Sequence, residues 1–193
     1  MGHSKAEKAN THQRIIAIAS KRLREDGLAG VGIADLMKDA GLTVGGFYKH
    51  FDSREDLVAQ AVGAALGVAK RYSGDSESGN APITYAKLID NYLSEAHRDS
   101  PGTGCAISAL GAEIARKGDR TRTLASEEIR NNLEWIAGLL DGNDRRAARS
   151  KAILTFSALV GAIVLARNES DEKLSREILN SVAKLLKKVA VSD

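Results

Sequence analysis

Leu174, Ile178, Val182, Leu185 and Val189 recur at intervals of four, four, three and four residues, with Leu179 and Leu186 beside them. That rhythm is the 3.6-residue period of an α-helix with one apolar face. Similar patterns fill most of the chain, and its 193 residues include only two prolines, Pro82 and Pro101. No segment shows the alternation of a half-buried strand, so the expected fold class is all-α. The pattern predicts nine helices: about 11–26, 33–40, 44–50, one opening at Ser53, 83–97, 105–116, 120–140, 145–167 and 171–189. Residues 73–82, rich in Gly, Ser, Asp and Asn, read as a loop.

Function classes narrow quickly. The longest uninterrupted apolar run, Ala158 to Ala166, is nine residues, whereas a membrane span needs roughly 20. The polar first residues hold no signal-peptide core, so a cytoplasmic chain with no membrane partner is expected. A single cysteine, Cys105, excludes an intrachain disulfide framework, and His3, His12, His50 and His97 have no zinc-ligand spacing. No metal site and no cofactor are expected. No residue is placed by sequence as a base for Cys105 and no cofactor loop is visible, so an enzyme is not expected.

The formal charge of +3 is concentrated. Residues 1–54 hold nine Lys/Arg against six Asp/Glu, while the remainder is balanced. A basic head on a neutral body suits a polyanion partner. Within that head, 33–52 reads as two short helical patterns joined at Gly41, the spacing of a helix-turn-helix. Ile33, Leu36, Met37 and Ala40 make the inner stripe, Leu42, Phe47 and Phe51 close the core, and Thr43 is positioned to cap the next helix. Gly45 and Gly46 then occupy its first turn, where each costs about 1 kcal/mol relative to Ala. Stability does not explain the pair; close approach of a helix end to a nucleic-acid backbone would, the alternative being a frayed linker turn. Tyr48, Lys49 and His50 can each donate to phosphate oxygens, and Arg54 stands at the start of another helix. Taken singly, Tyr48 can equally be a core aromatic and His50 a surface side chain bonded to backbone.

The string Gly46-Phe-Tyr-Lys-His-Phe51, followed by Ser53-Arg-Glu-Asp-Leu57 and preceded by Ala34-Asp-Leu-Met-Lys-Asp-Ala-Gly-Leu-Thr43, resembles the N-terminal domain of TetR-type transcriptional regulators over 11–62. The resemblance implies a DNA-binding domain at 8–60 and a C-terminal ligand-sensing and dimerisation domain at 61–193. It implies that Thr43, Val44, Gly45 and Gly46 face the major groove and that Tyr48, Lys49, His50 and Arg54 hold the DNA backbone, with Thr43 and Lys49 the best candidates for base contacts. It further implies a homodimer on a palindromic double-stranded operator, most often a repressor released by an effector. Two positions depart from the family pattern: Gly32 stands where a Ser or Thr cap is usual, and Met37 where alanine is commoner.

The body is less legible. Helices 145–167 and 171–189 can pair with a second copy through Phe156, Leu159, Gly161, Ile163, Leu174, Ile178, Val182 and Leu185, or bury those faces in their own subunit. Ser157, Gly161 and the neighbouring alanines would permit close helix approach. Cys105, expected in the first turn of a helix, resembles the cysteine of electrophile-sensing regulators of the same family; a small buried packing residue is the alternative. A reversible effector pocket would instead draw on Tyr85, Tyr92, His97 and Trp135, too few aromatics to favour a cage for quaternary ammonium ions. A competing reading of the whole chain is a helical protein-interaction adaptor without specific DNA binding.

Overall fold

The computed structural model describes residues 5–66, 83–140 and 144–189; the expected loop at 73–82 lies outside them. The described residues are helical throughout, with no strand. The N-terminal head comprises α1 (Lys5–Asp26), α2 (Ile33–Asp39), a tight 3-10 helix (Val44–Lys49) and α3 (Arg54–Leu66). The body comprises α4 (Tyr85–Tyr92), α5 (Glu95–Asp99), a short 3-10 turn (Pro101–Thr103), α6 (Ala106–Ala115), α7 (Asp119–Gly138), α8 (Arg145–Asn168) and α9 (Glu172–Val189).

Three boundaries differ from the sequence reading. The first helix begins at Lys5 rather than near residue 11, because the polar stretch Lys5–Asn10 offers no apolar rhythm yet contains good helix formers. The helix expected over 83–97 is two: the chain leaves helical geometry at Leu93, and Ser94 caps α5 by accepting from the His97 amide at 3.1 Å. The third expected helix is wound as 3-10, with the Gly46 amide bonded to the Thr43 carbonyl at 3.0 Å.

Two cores organise the chain. The first gathers Ile15, Leu23, Leu36, Met37, Phe47, Phe51, Leu57 and Val62 from the head and continues into Leu110 and Ile114 of α6. Position 60 lies within α3, which packs against both α6 and α7. Polar ties cross the same junction. Arg24 at the end of α1 is buried and donates its Nε to the Gly102 carbonyl at 2.9 Å, and the Leu28 amide donates to the Glu113 carboxylate on α6 at 2.9 Å. Buried guanidinium donors that reach fixed carbonyls satisfy both partners and fix their relative placement.

The second core lies among α4, α7, α8 and α9. Here the structure corrects part of the expected dimer surface. Leu159 and Ile163 are 0% exposed and Phe156 is 7% exposed, all against their own subunit. A helix apolar on nearly every side does not reveal by sequence which stripe turns inward. The stripe left outside on α8 is Ile153, Leu154, Val164 and Leu165, with Gly161 half-buried among them. On α9, Leu174 and Leu185 are exposed, and Ile178 and Val182 are half-buried. By length and composition α8 is apolar enough to cross a membrane, but its inner stripe is spent on this core.

Candidate nucleic-acid interface

Gly41 ends α2 with φ of 69°, a left-handed conformation that suits glycine, and the Leu42 amide bonds back to the Met37 carbonyl at 2.8 Å. That turn redirects the chain so that Phe47 and Phe51 drop into the head core, each at most 2% exposed. Anchoring by two phenylalanines dictates what is left outside. Tyr48 is 74% exposed, Val44 is 52% exposed, and Thr43, Gly45 and Lys49 are also exposed. Gly46 and His50 are half-buried. Tyr48 is therefore not a core residue, although its ring meets Phe47 edge-on at 5.2 Å.

Gly45 has no structural reason to be glycine inside this protein. Its φ is not positive, and a Cβ there would meet nothing within 4 Å. Gly46 is nearly as open, its nearest neighbour being the Met37 Cε at 3.5 Å. The Thr43 hydroxyl makes no cap bond, contrary to the cap expected of it, and Gly32 likewise offers no side-chain cap to α2.

Arg54 also has partners within the head. Its guanidinium donates to the carbonyls of Leu28 at 3.0 Å and Val31 at 3.4 Å, on the loop joining α1 to α2. Those loop carbonyls lack helical partners, so one guanidinium nitrogen of the half-buried Arg54 ties α3 to this loop. Ser53 caps α3 as expected, accepting from the Asp56 amide at 3.0 Å.

Residues missed by the sequence reading adjoin the same surface. Lys5, Lys8, His12 and Gln13 of α1 share a cleft with Lys49 and His50, and a neighbouring cleft joins Lys8 and Thr11 to Thr43, Gly46 and Tyr48. The signal was present as the three- and four-residue spacing of Lys5, Lys8 and His12, which becomes one face only once the helix is known to start at Lys5.

The five candidate sensor residues gather in or beside the second core. Cys105 is the residue before α6 rather than in its first turn, and is 8% exposed. His97 Nδ1 lies 2.6 Å from the Tyr92 carbonyl, which can only accept, so Nδ1 carries the proton and Nε2 accepts from the Cys105 amide at 3.0 Å. The imidazole thus serves the backbone of Cys105. Burial pushes its pKa down to about 4. Tyr92 packs edge-on against His97 at 4.6 Å, Tyr85 shares a 2.6 Å hydrogen bond with the Thr155 hydroxyl, and Trp135 is half-buried against the same core. None of the five lines the open groove of about 930 Å³ between α6 and α7, whose walls include Ile107, Ile114, Ile129, Arg122 and Arg130.

Residues 15–61 match the family model of bacterial regulatory proteins of the tetR family. An uncharacterized HTH-type transcriptional regulator of Mycobacterium tuberculosis is 28% identical over 167 residues, covering 82% of this chain and 85% of that protein. The HTH-type transcriptional repressor DhaR of a Mycobacterium species is 24% identical over 124 residues, covering 64% of this chain and 61% of that one. A TetR transcriptional regulator from Chloroflexus aurantiacus superimposes with a TM-score of 0.78 at 22% identity, covering 97% of this chain and 98% of that one.

Proposed function

Because the chain belongs to the TetR family of DNA-binding transcriptional regulators, we propose that it is a cytoplasmic homodimeric repressor that leaves a palindromic operator when a small molecule binds its body. The observation that carries the DNA half is the surface at 43–50. A chain gains nothing internally by exposing Val44 and Tyr48 beside a glycine that neither backbone nor packing requires. A helix end stripped of side chains fits the major groove, with Thr43 and Lys49 nearest the base edges and Tyr48 and His50 on phosphates.

The dimer reading is supported by the outer stripes of α8 and α9, where Leu165 at 61% and Leu185 at 62% exposure leave apolar surface uncovered. Two copies pairing these helices would present two heads to successive major grooves. Release is supported by the α6–α7 groove and by Glu113, since the same helix that walls the groove grips the Leu28 amide of the head. An effector that prefers a shifted α6 would weaken DNA binding by its differential affinity for the two arrangements. Burial of Cys105 favours this reversible ligand over a thiol-reactive one.

The direct test is selection of fragments from genomic DNA of the source organism with purified protein at near-physiological salt, followed by sequencing. A palindromic site is expected. Weak, sequence-independent binding alone would contradict the reading and favour the adaptor.

A further inference from the structure

Lys5, Lys8, Ala9, His12 and Gln13 of α1 form, with Lys49 and His50, a cleft of about 380 Å³. Two imidazoles meet there in unlike circumstances. The His12 ring stacks on Phe51 at 4.8 Å, and its Nε2 lies 2.9 Å from Gln60 Oε1. Gln60 spends its amide N–H on Asp56, so its oxygen accepts and His12 Nε2 donates. His12 is held. The His50 ring, 6.0 Å away, has an enclosed Nδ1 with no hydrogen-bond partner among the described residues.

The titratable groups around His50 are mostly basic. Lys8 and His12 face it from α1 with Lys5 at the cleft edge, and Lys49 adjoins it on its own segment. Glu7 borders the neighbouring cleft, and Asp56 stands behind Gln60 on α3. Burial first, then His12, Lys8 and Lys49, hold the imidazole below its ordinary pKa. An anion arriving in this cleft reverses that balance.

We propose that Lys8, Lys49 and His50 form a phosphate site that takes one DNA backbone phosphate together with one proton, carried on His50. The inference rests on the DNA-binding reading above. The proton comes from solvent, the phosphodiester keeps its single negative charge, and the imidazolium completes a cationic triad that α1 and the 3-10 helix build jointly. DNA binding and proton binding are then reciprocally linked, so affinity rises as pH falls toward 6.

The test is the dissociation constant of the full chain for a short random-sequence duplex at fixed salt between about pH 6 and pH 8, with calorimetry in two buffers of different ionisation enthalpy. Affinity is expected to fall by up to about tenfold per pH unit at the steepest point, the limit for one linked proton. The heat should differ between buffers by the ionisation of about one proton. In His50→Gln both signatures should vanish, whereas Lys8→Gln should lower affinity and reduce the salt slope by about one while keeping the buffer dependence. Binding with a flat pH profile, no proton uptake, or a slope that persists in His50→Gln would overturn the proton-coupled site and leave DNA binding standing. Absence of proton uptake by the wild type overturns the site even if a variant fails to fold. No duplex binding at any pH would overturn the DNA reading, and this site with it.

Discussion

The 43–50 segment and the cluster around Cys105 hold similar chemistry in opposite states. Both collect tyrosine and histidine beside a residue of potential function, a lysine in one and a thiol in the other. Around Cys105 two polar side chains are committed internally: His97 uses both ring nitrogens on backbone, and Tyr85 uses its hydroxyl on Thr155. At 43–50 Tyr48 and Lys49 are exposed to solvent, and His50 is half-buried beside them. Side chains whose capacity is consumed by the fold explain the fold. Those left unused at an exposed, glycine-opened helix end point to a partner.

The largest effect that separates the regions is truncation of adjacent aromatics. Phe47→Ala should cost about 3–5 kcal/mol of stability in denaturant unfolding, as for buried aromatics generally. Tyr48→Ala should stay within about 0.5 kcal/mol while weakening DNA binding. Equal losses of stability would erase the distinction between the buried and the exposed ring.

Acid should next expose the commitment of His97. The unfolded imidazole takes up a proton near its ordinary 6.5, whereas the folded one does so only at about 4. Between those values the unfolded state binds more protons, so stability is level above pH 6.5 and falls as pH drops toward 4. The fall should amount to roughly 3 kcal/mol, read as the difference between wild type and His97→Gln in denaturant titrations across that window. Parallel curves would mean that His97 is not locked neutral.

Lys49→Ala should weaken DNA binding several-fold and lower the salt slope by about one, without altering unfolding. Gly45→Ala should raise stability slightly, by no more than about 1 kcal/mol, because the added Cβ meets open space, yet it should reduce DNA affinity. Unimpaired binding in Gly45→Ala would remove the argument for close approach. Gly161→Leu should leave the monomer core intact, since nothing lies within 4 Å of its Cβ position, and shift sedimentation toward monomer.

What the sequence revealed follows from where the information is local. The Gly41 turn, the Phe47 and Phe51 anchors and the Ser53 cap are set by neighbours within a few residues, and all were readable. The internal bonds of Arg54 were not legible because its partners, Leu28 and Val31, are distant in the chain, and nothing in the string Ser-Arg-Glu-Asp records them. Leu159 and Ile163 were placed on the outside because a nearly all-apolar helix hides its inward direction, which only packing against its neighbours decides. Lys8 and His12 were overlooked because apolar rhythm, the main helix signal, is missing from the first turns of α1.

The central claim is that 43–50, with the adjoining face of α1, is the DNA-contacting surface. Amide hydrogen exchange of the full chain with and without a duplex recovered by genomic selection tests it most directly. New protection should concentrate at 43–50 and 5–13, with the Cys105 cluster unchanged. Protection that leaves 43–50 untouched while that duplex is bound would contradict it.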